Sequence, residues 1–252
     1  MTTPVPRRVS LHDPEVGAAP MVNSEVPFQV VSPAAVAPAA DIPDDVREHF
    51  RRLLRNLPWP GGGTARRITT MALTSCVRGE GVSTCAALTA VTAAGAGNHK
   101  VALIDANLAH PAVHRRFGIE VAPGLAEVVS GHRPPSAVLH AVWPGRLWAL
   151  TAGQAEPGRL YGDTERWARI LAEMAHEFDL VVLDMPAIGD VASAMHLFGL
   201  FDGVVLVVEH ERVRWEVAQK KRQGLLRARA NLVGVAFNKR TEHIPAWLYR
   251  TL

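Results

Sequence analysis

The sequence predicts an α/β protein: a three-layer, mostly parallel sheet with helices on both faces, behind an N-terminal arm without regular structure. Three observations carry this prediction. Short, continuous, β-rich apolar runs recur from residue 68 onward, helical stretches separate them, and a glycine-rich turn follows the first run. Strands covered on both faces read as unbroken apolar runs, and alternation with helices is what parallel crossovers require.

The elements follow in order. Eight of the 18 prolines lie in residues 1–43, and the stretch closing on SPAAVAPAADIP has no sustained period. Residues 1–42 therefore read as a disordered Pro/Ala-rich arm and residues 43–252 as one folded domain. Asp44 and Asp45 are placed to cap a helix, VREHFRRLLRNL, with Phe50, Leu53, Leu54 and Leu57 on one stripe. Glu48 can pair there with Arg51 or Arg52, and Pro58, Pro60 and Gly61–Gly63 end the helix. Strands are expected at 68–74, 101–105, 146–151, 180–184, 203–208 and 232–237. Helices are expected over STCAALTAVTAAGA, DTERWARILAEMAHEF and the long basic stretch 211–229.

Composition narrows the function. The chain has 252 residues, of which 48% are apolar and 20% charged, as in soluble domains with one sizeable core. No apolar run reaches the roughly 18 residues of a spanning helix, and the N-terminus has no secretory apolar segment, so a cytosolic protein is expected. Cys76 and Cys85 are too few for a disulfide framework or a four-ligand zinc site. His110 and His114 are four apart, but Pro111 intervenes, and no metal site is expected from them. The net charge of +3 is mild, and the basic helix at 211–229 reads as a solvated or protein-docking face rather than a nucleic-acid surface.

The turn after the first strand runs Thr74-Ser75-Cys76-Val77-Arg78-Gly79-Glu80-Gly81-Val82-Ser83-Thr84. Glycines let successive N–H groups point inward, and the following helix adds positive potential, so such a turn suits phosphate. The dinucleotide fingerprint G-x-G-x-x-G fits poorly, because Thr84 takes the third glycine's place and Gly79 comes late after the strand. The P-loop pattern G-x-x-x-x-G-K-[ST] fits in length, at Gly81 and at the hydroxyl Ser83. It fails at Cys76, in place of the first glycine, and at Val82, in place of the lysine.

The context supplies what the loop lacks. LIDANLAHP sets Asp105 at the end of the second strand, FDLVVLDMP sets Asp184 at a strand end behind four apolar residues, and VGVAFNKR ends a late strand with Asn238. With TSCVRGEGVST, GLAEVVSG and the helix EHFRRLLRNL, this ordered set, over residues 45–240, resembles the cytoplasmic bacterial tyrosine kinases (CpsD/CapB-like) of capsule and exopolysaccharide systems. Those belong to the MinD/ParA-like P-loop ATPases. The resemblance implies that Gly79, Glu80, Gly81, Val82, Ser83 and Thr84 form the phosphate loop, where ATP or ADP with Mg²⁺ is one expectation and weak or absent binding is equally allowed by Val82. It implies that Ser83 and Asp184 address Mg²⁺ when nucleotide is bound, that Asp105 and Asp184 are the catalytic residues of an active enzyme, and that Asn238 contacts the adenine. On the residues alone, the alternative readings are loop caps for the two aspartates and a plain turn residue for Asn238, while Arg78 with Glu80 reads first as a solvated pair.

Departures from the family decide the expected function. Valine at 82 offers neither charge nor donor to the β/γ-phosphates, and loss of one such group typically costs about 10²–10³ in rate. Asn107 stands where the family has an aspartate, and Ala109-His110 where it has an arginine pair. Only Tyr161 and Tyr249 are present, where these kinases end in a tyrosine cluster, and the oligomer motif E-x-x-R-x-x-R is incomplete after Glu48 and Arg51. The expectation is a catalytically impaired regulatory or scaffolding subunit. Its implied partner is an inner-membrane (Wzz-like) polysaccharide co-polymerase, which would hold it at the membrane, and self-association stays open. The alternatives are an active tyrosine kinase with a displaced cation, such as Arg78, and a MinD/ParA-like positioning ATPase.

Overall fold

The computed structural model describes residues 44–55, 67–154 and 160–239. The arm 1–42, the Pro/Gly segment after the first helix and Tyr249 lie outside them. Helix α1 spans Asp44–Arg55, and strand β1, Thr70–Ser75, leads through the glycine-rich turn into α2, Val82–Gly95. Strand β2 (Val101–Asp105) follows, then two short helices, α3 (Val113–Phe117) and α4 (Leu125–Val129). A hairpin of β3 (His140–Trp143) and β4 (Leu147–Leu150) precedes α5 (Thr164–Glu177) and β5 (Leu180–Asp184). The described chain closes with β6 (Gly203–Glu209), α6 (Trp215–Arg227) and β7 (Leu232–Asn238).

The seven strands form one sheet in the order β3-β4-β2-β5-β1-β6-β7, parallel except for β3 against β4. β1, β2, β4 and β5 are buried at every position, which is why they read as unbroken apolar runs. Two apolar clusters flank them. One carries α1, α2 and α3, the other α4, α5 and Leu225 of α6, so the expected three layers are present. α2 is apolar on nearly all sides because it is covered twice, by the sheet beneath and by Leu54 of α1 above; its alanines let the backbones approach closely. Asp202 fastens the far end of the sheet. One carboxylate oxygen accepts from the N–H of Thr69 (3.0 Å) and Thr70 (2.9 Å) and from the Thr70 hydroxyl (3.0 Å).

Three details differ from the sequence reading. β3 was not expected, since four half-buried residues give little pattern; the Pro144-Gly145 turn, with Gly145 at φ 75°, is its only signal. α1 begins at Asp44 rather than after a cap at Asp44-Asp45. The basic helix begins at Trp215, not 211, because Glu211 has φ 63° and Arg212 is drawn to the glycine-rich turn. On α1, Glu48 pairs with Arg51, Arg52 and Arg55 within the chain; these pairs are solvent-exposed and contribute little. Among the described residues no helix is long and apolar enough to cross a membrane.

Candidate functional site

The sheet topology brings three carboxyl ends together. β1 lies between β5 and β6, and β2 lies on the other side of β5, so the β1 turn, Asp105 and Asp184 share one edge of the sheet. Ligands in open parallel sheets bind at this edge.

The turn is shaped by its glycines and fastened from outside. Gly79 and Gly81 have φ of 90° and 91°, a region that side chains other than hydrogen avoid, and a Cβ on Gly81 would collide with the Asn238 amide nitrogen. Asn238 Nδ2 donates to the Glu80 carbonyl (2.8 Å), Lys239 Nζ to the Gly79 carbonyl (2.9 Å) and Arg212 Nη2 to the Arg78 carbonyl (3.0 Å). Both cations also pair with the Glu209 carboxylate, at 2.7 Å for Arg212 and 3.2 Å for Lys239. Asn238, expected against an adenine, is thus seated on the loop backbone. With three carbonyls held from outside, an anion would meet the loop together with the first-turn N–H groups of α2, which no helix satisfies internally.

Glu80 is not part of a solvated pair. It is fully buried, and its carboxylate accepts from the N–H of Val77 and from the N–H of Glu209, each at 2.8 Å. It staples the turn to the end of β6. Glu80→Ala leaves both half-buried donors without this partner and is expected to destabilise the protein by about 1–3 kcal/mol in urea unfolding, with Glu80→Gln losing less. A loss under about 0.5 kcal/mol would mean the donors find other acceptors. Arg78 is exposed. Val82 is buried in the apolar cluster on the α1–α2 side, so the lysine position carries no cation. Cys76, in the first glycine's place, is buried too, and burial pushes its thiol up to about 11.

Asp105 and Asp184 face each other in register on β2 and β5, and both are fully buried. Their surroundings separate their roles. Asp105 accepts from three N–H groups, those of Asn107 (3.2 Å), Ala112 (2.8 Å) and Val113 (2.9 Å), and so fixes the turn before α3. Neither oxygen of Asp184 makes a hydrogen bond of normal geometry among the described residues, although the Ser83 hydroxyl lies near enough to act on it. Burial raises its proton affinity most, the Asp105 charge adds to this, and the Ser83 hydroxyl and Arg116 oppose it. Asp105 is raised less, by burial, because its three N–H donors hold the carboxylate form. The Asn107 side-chain oxygen is likewise buried without a partner. A lone buried carboxylate beside a loop hydroxyl, with more oxygen close by, fits a hard divalent cation such as Mg²⁺. Ser83 and Asp184 would hold it.

The structure adds residues that the sequence reading missed. Glu209, Arg212 and Lys239 fasten the loop, and Arg116 of α3 donates to the Thr84 hydroxyl. For the first three, the only signal was charge clustered after the last two strands. Tyr161, one of the two tyrosines, is fully buried, and its hydroxyl donates to the Ala106 carbonyl (2.7 Å) and accepts from the Leu108 N–H (3.1 Å). It cannot accept a phosphate while the protein is folded.

Comparison with known proteins gives the following. No protein-family model matches the chain. It is 32% identical over 207 residues to the tyrosine-protein kinase YwqD of Bacillus subtilis, covering 81% of this chain and 86% of that protein. It is 26% identical over 226 residues to the succinoglycan biosynthesis transport protein ExoP of Rhizobium meliloti, covering 86% of this chain and 28% of the relative. Its fold matches the kinase domain of the Escherichia coli tyrosine kinase ETK with a TM-score of 0.72 at 21% identity, over 87% of this chain and 85% of that one.

Proposed function

This chain belongs to the bacterial tyrosine-kinase family, and from that premise we propose that it is a Mg-nucleotide-binding, catalytically impaired subunit of a polysaccharide synthesis and export system. One observation carries the reading: the cradle keeps its glycine geometry, its hydroxyl and an unsatisfied buried aspartate, while Val82 puts an apolar side chain into the core where a cation is needed. Binding draws on backbone N–H groups, Ser83 and Asp184, whereas turnover needs positive charge on the phosphoryl group as it transfers. Mg²⁺, when bound, neutralises phosphate charge. Within the chain, Gly79 and Gly81 admit the phosphates, Glu80 holds the loop in place and Asp105 fixes the neighbouring turn. The burial of Tyr161 removes one of two phosphate acceptors and supports a regulatory role.

The partner we infer is a membrane polysaccharide co-polymerase, which would keep the subunit at the cytoplasmic face of the inner membrane. The support is the likeness to ExoP, in which a region similar to this chain lies within a larger protein named for polysaccharide transport. Titration calorimetry with Mg-ATP and Mg-ADP, beside a phosphotyrosine assay, tests the proposal. Micromolar binding with no phosphotyrosine on the chain or on an added tyrosine polymer is expected. Phosphotyrosine formed at rates of about 1 s⁻¹ or more, in the range of working kinases, would overturn the impairment.

A further inference from the structure

A cradle without its own cation must either bind phosphate weakly or draw charge from elsewhere. Arg78, on the loop itself, is exposed and makes no side-chain bond among the described residues, so nothing aims it at the cradle; four further cations reach toward it. Arg212 and Lys239 are spent on loop carbonyls and on the single Glu209 carboxylate. Lys221 donates to the Ile188 carbonyl and lies nearest the start of the loop, where its charge reaches Cys76. Arg116 differs from all three. It is exposed, forms no ion pair among the described residues, and its guanidinium reaches across to the Thr84 hydroxyl in the first turn of α2.

We propose that Arg116 is the phosphate-binding cation of this site, supplying from α3 the charge for ground-state binding that Val82 cannot supply on α2, while the transferring phosphoryl group still lacks the lysine. The inference rests on the nucleotide reading above. Three features support it. The first-turn N–H groups of α2 are where an anion is drawn, and Arg116 brings a full charge to that turn. A guanidinium presents a planar fork that matches two phosphate oxygens at once, so it serves from the side where a lysine would need to point from below. Its position is also set: Asp105 clamps the N–H groups of Ala112 and Val113, and the Arg116 N–H closes the helical turn on the Ala112 carbonyl (3.2 Å). Asp105 acts here as a positioning residue, its oxygens spent on the helix that carries Arg116.

The test is a double-mutant cycle read by calorimetry with Mg-ADP. Arg116→Ala and Arg116→Gln are expected to weaken binding at least tenfold and to flatten its salt dependence by about one ion. Gln keeps a donor for the Thr84 hydroxyl, so a loss with Gln isolates charge from the hydrogen bond. In a Val82→Lys background the same substitutions should cost less than threefold, because one cation then suffices. Parent-like binding by Arg116→Gln, or an equal loss in both backgrounds, would overturn the assignment. If the parent itself binds neither Mg-ADP nor Mg-ATP up to millimolar, the nucleotide reading fails, and Arg116 fails with it as a sufficient cation. If the parent binds and Arg116→Ala binds equally well, only Arg116 fails. Unfolding in urea checks that each variant is folded.

Discussion

Val82→Lys is expected to tighten Mg-ATP binding at least tenfold and to raise phosphotyrosine formation on an added tyrosine polymer by about 10²–10³ over the parent. The magnitude follows from what the position lacks. Catalysis of phosphoryl transfer is mostly placement and electrostatics, and removing one preorganised charge costs that much in other enzymes. Valine at the first residue of α2 is packed against the core. A lysine stem can lie along the same apolar surface while its ammonium rises to the loop, so the loss of stability should stay near 1 kcal/mol. An added acceptor makes the readout independent of the chain's own tyrosines, of which Tyr161 is sealed in the fold. Tight ATP binding by Val82→Lys without phosphotyrosine would move the defect to another departure, with Asn107 the first to examine.

Asp184→Asn is expected to make the protein more stable above neutral pH and at the same time to abolish stabilisation by Mg²⁺. Burial and the facing Asp105 raise the proton affinity of Asp184 in the folded state above that of the unfolded chain. Below the ordinary carboxylate range both states are protonated and no penalty exists. As pH rises through that range the unfolded chain ionises first, so stability falls until the folded carboxyl ionises as well, and the full penalty then persists. Asparagine removes it. A gain of about 1–2 kcal/mol corresponds to a few degrees in Tm at about pH 8, with little change at about pH 4. Thermal unfolding across that range, with and without millimolar MgCl₂, measures both effects. Lower stability of Asp184→Asn at pH 8 would mean that the carboxylate holds the fold rather than waiting for a ligand.

Much of this architecture is legible in the sequence because it rests on local signals. Continuous apolar runs announce doubly covered strands, and an aspartate closing such a run marks a carboxyl end, as at Asp105 and Asp184. The glycines at 79 and 81 announce the turn. What the sequence hides is partnership across distance. Glu80 reads as a surface charge until its two N–H partners are seen, one of them on β6. Asp105 reads as a free acid until the start of α3 folds back onto it. Arg116 is one of two adjacent arginines in a short basic helix, and only the packing of α3 beside α2 singles it out. Asn238 is legible as special, but its seat on the loop backbone is not.

The fastening of the glycine-rich turn also has a meaning for biogenesis. Its sequence is translated early, yet the bonds that hold it reach Glu209, Asn238 and Lys239, at separations of 129, 158 and 160 positions. Contacts of such span form late, since the closure of the intervening chain must be offset before they contribute. A nascent chain that has emerged only through β5 therefore has its two aspartates and its glycines but no finished cradle. On the proposed function, nucleotide would become a ligand only when the last strand is added, and binding would then report that synthesis of the sheet is complete.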